Sequence, residues 1–134
     1  MAEREIRTAG FDRTLGLELD SYDGDEVVAH LTITPDLLQP YGIVHGGVYC
    51  SVVETTASVG AALWFGDRGH VVGVANHTNF LRATREGVLT VRATPVQRGR
   101  TQQLWTVDVR DEQDRLVAKG EVRIANIADA AALG

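Results

Sequence analysis

One cysteine, three prolines and 6% aromatic residues in 134 positions are the scarcities that frame this chain. Cys50 alone cannot close an internal disulfide, which excludes a disulfide-stapled scaffold. The first residues carry acidic side chains and no apolar core of a secretory signal. Together these read as a reducing cytoplasm. Aromatic residues are too few and scattered for a nucleic-acid stacking platform, and a formal charge of -5 gives no basic surface for phosphate backbones. Any long apolar run is broken by Gln39, His45, Ser51, Glu54, Thr55, Thr56 and Ser58, so no membrane span is expected. His30, His45, His70 and His77 lack the short spacings of zinc or iron sites, so neither metal nor cofactor is expected. No Gly-x-Ser-x-Gly elbow is present, which excludes a serine hydrolase of the α/β type.

What is there is an ordinary globular composition, 44% hydrophobic and 23% charged. The reading is one domain over residues 1–134, with a core at about 10–126 and a tail at 127–134. The charge is uneven. Residues 1–36 sum to -6, 37–81 to -1, 82–100 to +4 and 101–134 to -2. Within residues 37–66 the only formally charged side chain is Glu54.

Periodicity predicts a short helical turn from Phe11, strands at 16–21 and 26–34 around the turn at residues 22–25, and one long helix over 48–65. Period-two alternation then predicts strands at 71–82, 88–97, 102–110 and 116–126, separated by turn residues and paired as sequential hairpins. The class is α+β, one curved antiparallel sheet around one helix. Small residues on the helix (Gly46, Gly47, Cys50, Ala57, Ser58, Gly60, Ala61, Ala62) suit close approach of that sheet. A helix so poor in charge has too much apolar surface to leave open, so an oligomer is expected.

Two features carry chemistry. A carboxylate alone in an apolar stretch needs partners or a raised pKa, which makes Glu54 a catalytic candidate. His45-Gly46-Gly47 at the helix start leaves backbone N–H groups uncovered at the positive end of a helix, suited to an anion or a carbonyl becoming an oxyanion. Gly46 and Glu54 are eight residues apart, about 12 Å along a helix, so one chain cannot bring both to one carbonyl. If both serve one reaction, Glu54 comes from a neighbouring copy whose antiparallel helix meets this one across a two-fold axis.

The stretch from Gln39 through His45-Gly46-Gly47 and Glu54 to Ser58, followed by Asn79-Phe80-Leu81-Arg82 and Arg98-Gly99-Arg100, resembles the hotdog-fold thioesterases. Within them it is most similar to the PaaI-like branch, which includes the Arthrobacter-type 4-hydroxybenzoyl-CoA thioesterase. The resemblance covers about residues 10–126. It implies a hotdog fold and hydrolysis of an acyl-CoA to a carboxylic acid and coenzyme A, without a metal. Glu54 would attack the thioester carbonyl or activate the water that does so. Gly46 would donate its N–H to the thioester oxygen with Gly47 beside it, and Gln39 would lie near the reacting groups. Ser58 would orient water, and His45 would fix the loop. Asn79, Phe80 and Leu81 would line the acyl and pantetheine channel. Arg82, Arg98 and Arg100, with Gly99 and Thr101 in the same turn, would meet the coenzyme A phosphates. A homo-oligomer, dimer or dimer of dimers, is implied. The competing reading is a hotdog protein that binds acyl-CoA without cleaving it; a hydratase is weaker still, because that family's Asp-x-x-x-x-His signature is absent.

Overall fold

The computed structural model describes residues 6 and 8–128, so most of the expected tail lies outside the described residues. In chain order the elements are α1 (Phe11–Leu15), β1 (Leu17–Tyr22), β2 (Val27–Thr32), α2 (Gly46–Phe65), β3 (His70–Phe80), β4 (Val88–Arg98), β5 (Gln102–Arg110) and β6 (Leu116–Ile127). The six strands form one antiparallel sheet in the order β1-β2-β4-β5-β6-β3, wrapped around α2.

Alternation decides which side chains face the helix. Val27, Ala29 and Leu31 of β2, Val91 and Ala93 of β4, Trp105, Val107 and Val109 of β5, and Val122 and Ile124 of β6 are fully buried. They pack against Val52, Val53, Ala57 and Ala61 of α2. The small helix residues permit this closeness: a side chain on Gly60 would meet the Trp105 ring at 2.5 Å. One buried polar network ties the helix to the sheet. Trp105 Nε1–H donates to Gln103 Oε1 at 2.7 Å, and the Gln103 amide donates to Ala61 O and Asn126 Oδ1. Gln103 is itself fully buried, so this network replaces the hydration it lost.

Three expectations need correction. The run of hairpins holds for β4-β5-β6, but β3 does not pair with β4; it lies at the far edge against β6, from His70↔Ile127 to Phe80↔Ala118. Alternation reports faces and is silent on neighbours. Here β2 takes β4 as its partner, and α2 carries the chain across the sheet before β3 begins. Second, α2 starts at Gly46 rather than Val48, because His45 caps it through its side chain and the glycines are taken into the first turn. Third, the polar interruptions do not keep α2 below the length and apolarity of a membrane span; by composition it reaches them. Its apolar residues serve the core described above.

Candidate active site

The loop before α2 folds back on itself. Gln39 N–H donates to Ile43 O, Gly42 N–H to Gln39 O, and Tyr41 N–H to the Gln39 side-chain oxygen, which leaves the Gln39 NH2 as a donor. His45 N–H donates to Leu37 O at 2.9 Å. The His45 ring then turns over the helix start, and its Nδ1 accepts the Gly47 N–H at 2.8 Å. Val48 N–H is taken by His45 O. Among the described residues, none accepts from Gly46 N–H. The two glycines therefore differ: Gly47 is capped, and Gly46 is the open donor at the positive helix end.

Gly46 lines a cavity of about 330 Å³ with Gln39, Ile43, Val44, Tyr49, Phe80, Leu81, Arg82 and Ala83. The Phe80 ring lies so close over Gly46 that a side chain there would meet it at 2.6 Å. Phe80 in turn leans on Tyr49, with ring centroids 5.9 Å apart. Burial pushes the Tyr49 phenol up, so it keeps its proton, and it bonds Thr84 Oγ1 at 2.5 Å. A larger, open cleft of about 600 Å³ lies behind the 83–87 loop. Its charged lining includes Arg85, Glu86, Asp111, Glu112 and Arg115 and none of the residues singled out in the sequence.

Glu54 sits two turns along α2, half-buried beneath β3. The Asn76 amide donates to its Oε2 at 3.2 Å and to Cys50 O at 3.0 Å, and Thr78 Oγ1–H donates to Asn76 Oδ1. Opposite lies Gly73, where a side chain would stand 2.0 Å from Glu54 Oε1. The ladder shifts register beside it, between Gly73 and Ala75, with Val74 bulged outward and 58% exposed. A glycine and a bulge together clear room for the carboxylate. Ser58, one turn farther, is half-buried, and its hydroxyl bonds to no side chain or backbone group among the described residues.

The remaining sequence candidates separate. Phe80 and Leu81 line the cavity, whereas Asn79 is exposed on the sheet face that carries its partner Lys119, away from α2. Arg82 is at the cavity, at the N-terminal end of α2. Arg98, Gly99, Arg100 and Thr101 are at the opposite end of the sheet, in the β4–β5 turn held by Asn126. Arg98 is already engaged: it donates to Gly24 O and Asp25 Oδ1 and stacks on Trp64. Arg92 pairs with Glu26. The +4 segment is thus no patch within a protomer. Trp64 and Phe65, at the far end of the helix from the cavity, carry Arg68 over their rings.

Sequence reasoning missed Gly73, Asn76 as the partner of Glu54, and the Tyr49–Thr84 bond. A glycine inside a strand pattern was the available signal for the first, since it marks close backbone approach. The other two depend on contacts between segments distant in sequence.

The Thioesterase superfamily family model matches residues 41–118. A Mycobacterium tuberculosis protein named "Putative esterase Rv1847" is 46% identical over 90% of this chain and 88% of its own. The 1,4-dihydroxy-2-naphthoyl-CoA hydrolase of Listeria monocytogenes is 31% identical over 87% of this chain and 94% of its own. Among solved structures, AziG of S. sahachiroi superposes with a TM-score of 0.90 at 48% identity, covering 92% of this chain and 100% of that one. The one sheet wrapped around one long helix is the fold these proteins share, and the chain belongs to the Thioesterase superfamily as a thioester hydrolase of the hotdog fold.

Proposed function

We propose that the protein hydrolyses acyl-CoA thioesters at a site shared by two copies, with Glu54 of one facing the Gly46 N–H of the other. One observation carries the reading: an open helix N-terminal N–H at an apolar cavity, and a braced carboxylate that the same helix holds about 12 Å away. The acyl group enters the cavity beside Phe80 and Leu81, and its carbonyl oxygen accepts from Gly46 N–H. Glu54 of the second copy either takes a proton from water as that water adds to the carbonyl, or adds to the carbonyl itself. The negative charge that develops on oxygen is met by a donor fixed in advance, the arrangement that contributes most in such reactions. On the first route the C–S bond breaks as Glu54 returns the proton it took to the leaving sulfur, giving the carboxylic acid and the coenzyme A thiol. On the second the C–S bond breaks to leave a mixed anhydride on Glu54 and a thiolate that takes its proton from water, and a second water hydrolyses the anhydride to free the acid and Glu54. Gln39 NH2 and Ser58 lie where water can be held, and His45 fixes the loop by capping Gly47.

The surface supports the pairing. β3 is an edge strand of eleven residues with exposed Val72 and Val74, the kind of edge that associates unless covered. Setting Gly46 opposite Glu54 in antiparallel helices puts the two-fold axis near residue 50. The second copy's Trp64 then lies about 15 Å beyond its Glu54, outside this helix's N-terminus. That brings Arg100 of the second copy to the same end as Arg82, a span the pantetheine arm can cross to the phosphates. Arg98 keeps its bonds to Gly24 and Asp25 in this arrangement. The Gln39, Gly46 and Glu54 spacing favours the PaaI-like, Arthrobacter-type arrangement within the superfamily.

The test uses two inactive variants. Glu54→Ala removes the acid. Gly46→Pro removes the N–H at the first helical position, where His45 already has the extended backbone proline demands of its neighbour; its Cβ would stand 2.6 Å from the exposed end of the Phe80 ring, which has to swing aside, so the variant disables the whole donor half of the site. Each alone should release little thiol from a panel of acetyl-, hexanoyl-, benzoyl- and 1,4-dihydroxy-2-naphthoyl-CoA. Mixed and re-equilibrated, the two should recover about a quarter of wild-type turnover, because half the dimers are mixed and each holds one complete site. Mixed dimers with no recovery would refute the shared site. Acyl-CoA binding by wild type without thiol release would leave a non-catalytic binder.

A further inference from the structure

The open Gly46 N–H is only as useful as its aim, and the backbone around it is held from one place. Two residues before Gly46, Val44 N–H donates to Thr84 O at 2.8 Å. Three residues after it, the Tyr49 phenol meets Thr84 Oγ1 at 2.5 Å. Both Tyr49 and Thr84 are buried, at 3% and 8% exposure, so losing the bond leaves the phenol short of a partner. The next residue, Arg85, reaches from the same loop to Tyr41 O and Gly42 O. The loop also carries Leu81 and Ala83 on the cavity wall.

We infer that Thr84 is a positioning residue of the thioesterase: it clamps the approach to α2 and its first turn together, and so aims the Gly46 N–H at the thioester oxygen. This rests on the reading of Gly46 and Glu54 given above. Thr84 does not line the cavity that Gly46 opens into. It acts through Val44 and Tyr49, which flank the donor on both sides, and through the wall residues that precede it. Losing the hydroxyl frees the first turn of α2 from the loop while the Val44–Thr84 backbone bond remains. The donor drifts, and a drift on the order of 1 Å at a reacting group lowers rates about a hundredfold.

Thr84→Val keeps the shape of the side chain and deletes the hydroxyl. Its kcat on the best acyl-CoA of the panel should fall roughly ten- to hundredfold, with KM within about threefold of wild type. Tyr49→Phe should lower kcat similarly, and the double variant no further than either single. Thr84→Ser restores the hydroxyl and should recover kcat to within about threefold of wild type, even if it melts earlier for want of the methyl group. A merely structural threonine would change melting temperature in both variants and leave the kcat of folded protein alone. Wild-type kcat in folded Thr84→Val, or a folded Thr84→Ser as slow as the valine variant, overturns the inference. Glu54→Ala run alongside separates the two failures. If it abolishes turnover while Thr84→Val does not lower it, only the role of Thr84 falls; if Glu54→Ala turns over normally, both fall.

Discussion

Gly73→Ala isolates the placement of the carboxylate. The backbone at residue 73 is not among the positive-φ glycines, so alanine brings no strain of its own. Its methyl would stand 2.0 Å from Glu54 Oε1, and ordinary contact begins near 3.4 Å, so the carboxylate must retreat about 1.4 Å. The yielding group is the end of a flexible, half-buried side chain, so the stability penalty stays near 1 kcal/mol, at the low end for overpacking. The retreat also strains the 3.2 Å bond from Asn76, the one side-chain hydrogen bond that Glu54 receives among the described residues. Misplacement of a reacting group by about 1 Å is worth roughly a hundredfold in rate, about 2.7 kcal/mol of transition-state stabilisation. The expected outcome is a folded protein with kcat/KM down about a hundredfold in a continuous thiol-release assay. Gly73→Ala added to Glu54→Ala should lower the residual rate no further, because both changes act on one group. Turnover within threefold of wild type, or a further loss in the double variant, would refute the claim that Gly73 is there for Glu54.

Other consequences can be measured without substrate. Gln103→Leu leaves the buried Trp105 Nε1–H without an acceptor and removes a donor from Ala61 O and from the half-buried Asn126 Oδ1, and should lower unfolding free energy by about 1–3 kcal/mol in urea at unchanged m-value. A loss under 1 kcal/mol would mean the network is neutral. His30 on the outer sheet face accepts pressure from two carboxylates: its bond with Asp20, then the charges of Asp20 and Glu18, hold its pKa above the usual imidazole value of 6.5 despite some burial. A raised folded-state pKa gives stabilisation that is complete below about pH 6.5 and fades as pH climbs through the folded value. His30→Gln should therefore be more destabilising at about pH 5.5 than at about pH 8.5. The difference should stay under about 1 kcal/mol, because all three side chains are open to solvent. An equal or reversed difference would contradict the pairing.

The strands, the helix and the α+β class were legible because each depends on local periodicity. Val27, Ala29 and Leu31 alternate inward whichever strand lies beside them. Strand order was not legible for β3, since its partner β6 lies some forty residues on and nothing in residues 70–80 names it. Arginines misled for the same reason. Five of them crowd residues 82–100, but the eleven residues of β4 run between the first and the last of them, so Arg82 and Arg100 finish at opposite ends of the sheet. Sequence density equals surface density only where the chain is a loop. Cap chemistry lay between these cases. His45-Gly46-Gly47 announced a helix start, yet which glycine keeps a free N–H turned on the rotamer of His45, and that is a three-dimensional fact.

The two halves of the proposed site are finished at different stages. Folding one chain already braces Glu54 between Asn76 and Gly73, and already leaves Gly46 open beneath Phe80, at points about 12 Å apart that cannot serve each other. Both open toward the region bounded by the exposed edge of β3 and the small-residue side of α2, where Gly47 is exposed and Ser51, Glu54 and Ser58 are half-buried. That region carries an exposed apolar edge, with Val72 and Val74 in the open. In the proposed pairing, a second copy laid there antiparallel would cover the edge and bring each carboxylate to the other chain's donor in one step. The pressure that drives association and the geometry that reaction requires then act on the same surface. A variant that weakens the β3 edge, such as Val72→Lys, should lose turnover and dimer together, at the same protein concentration in both measurements.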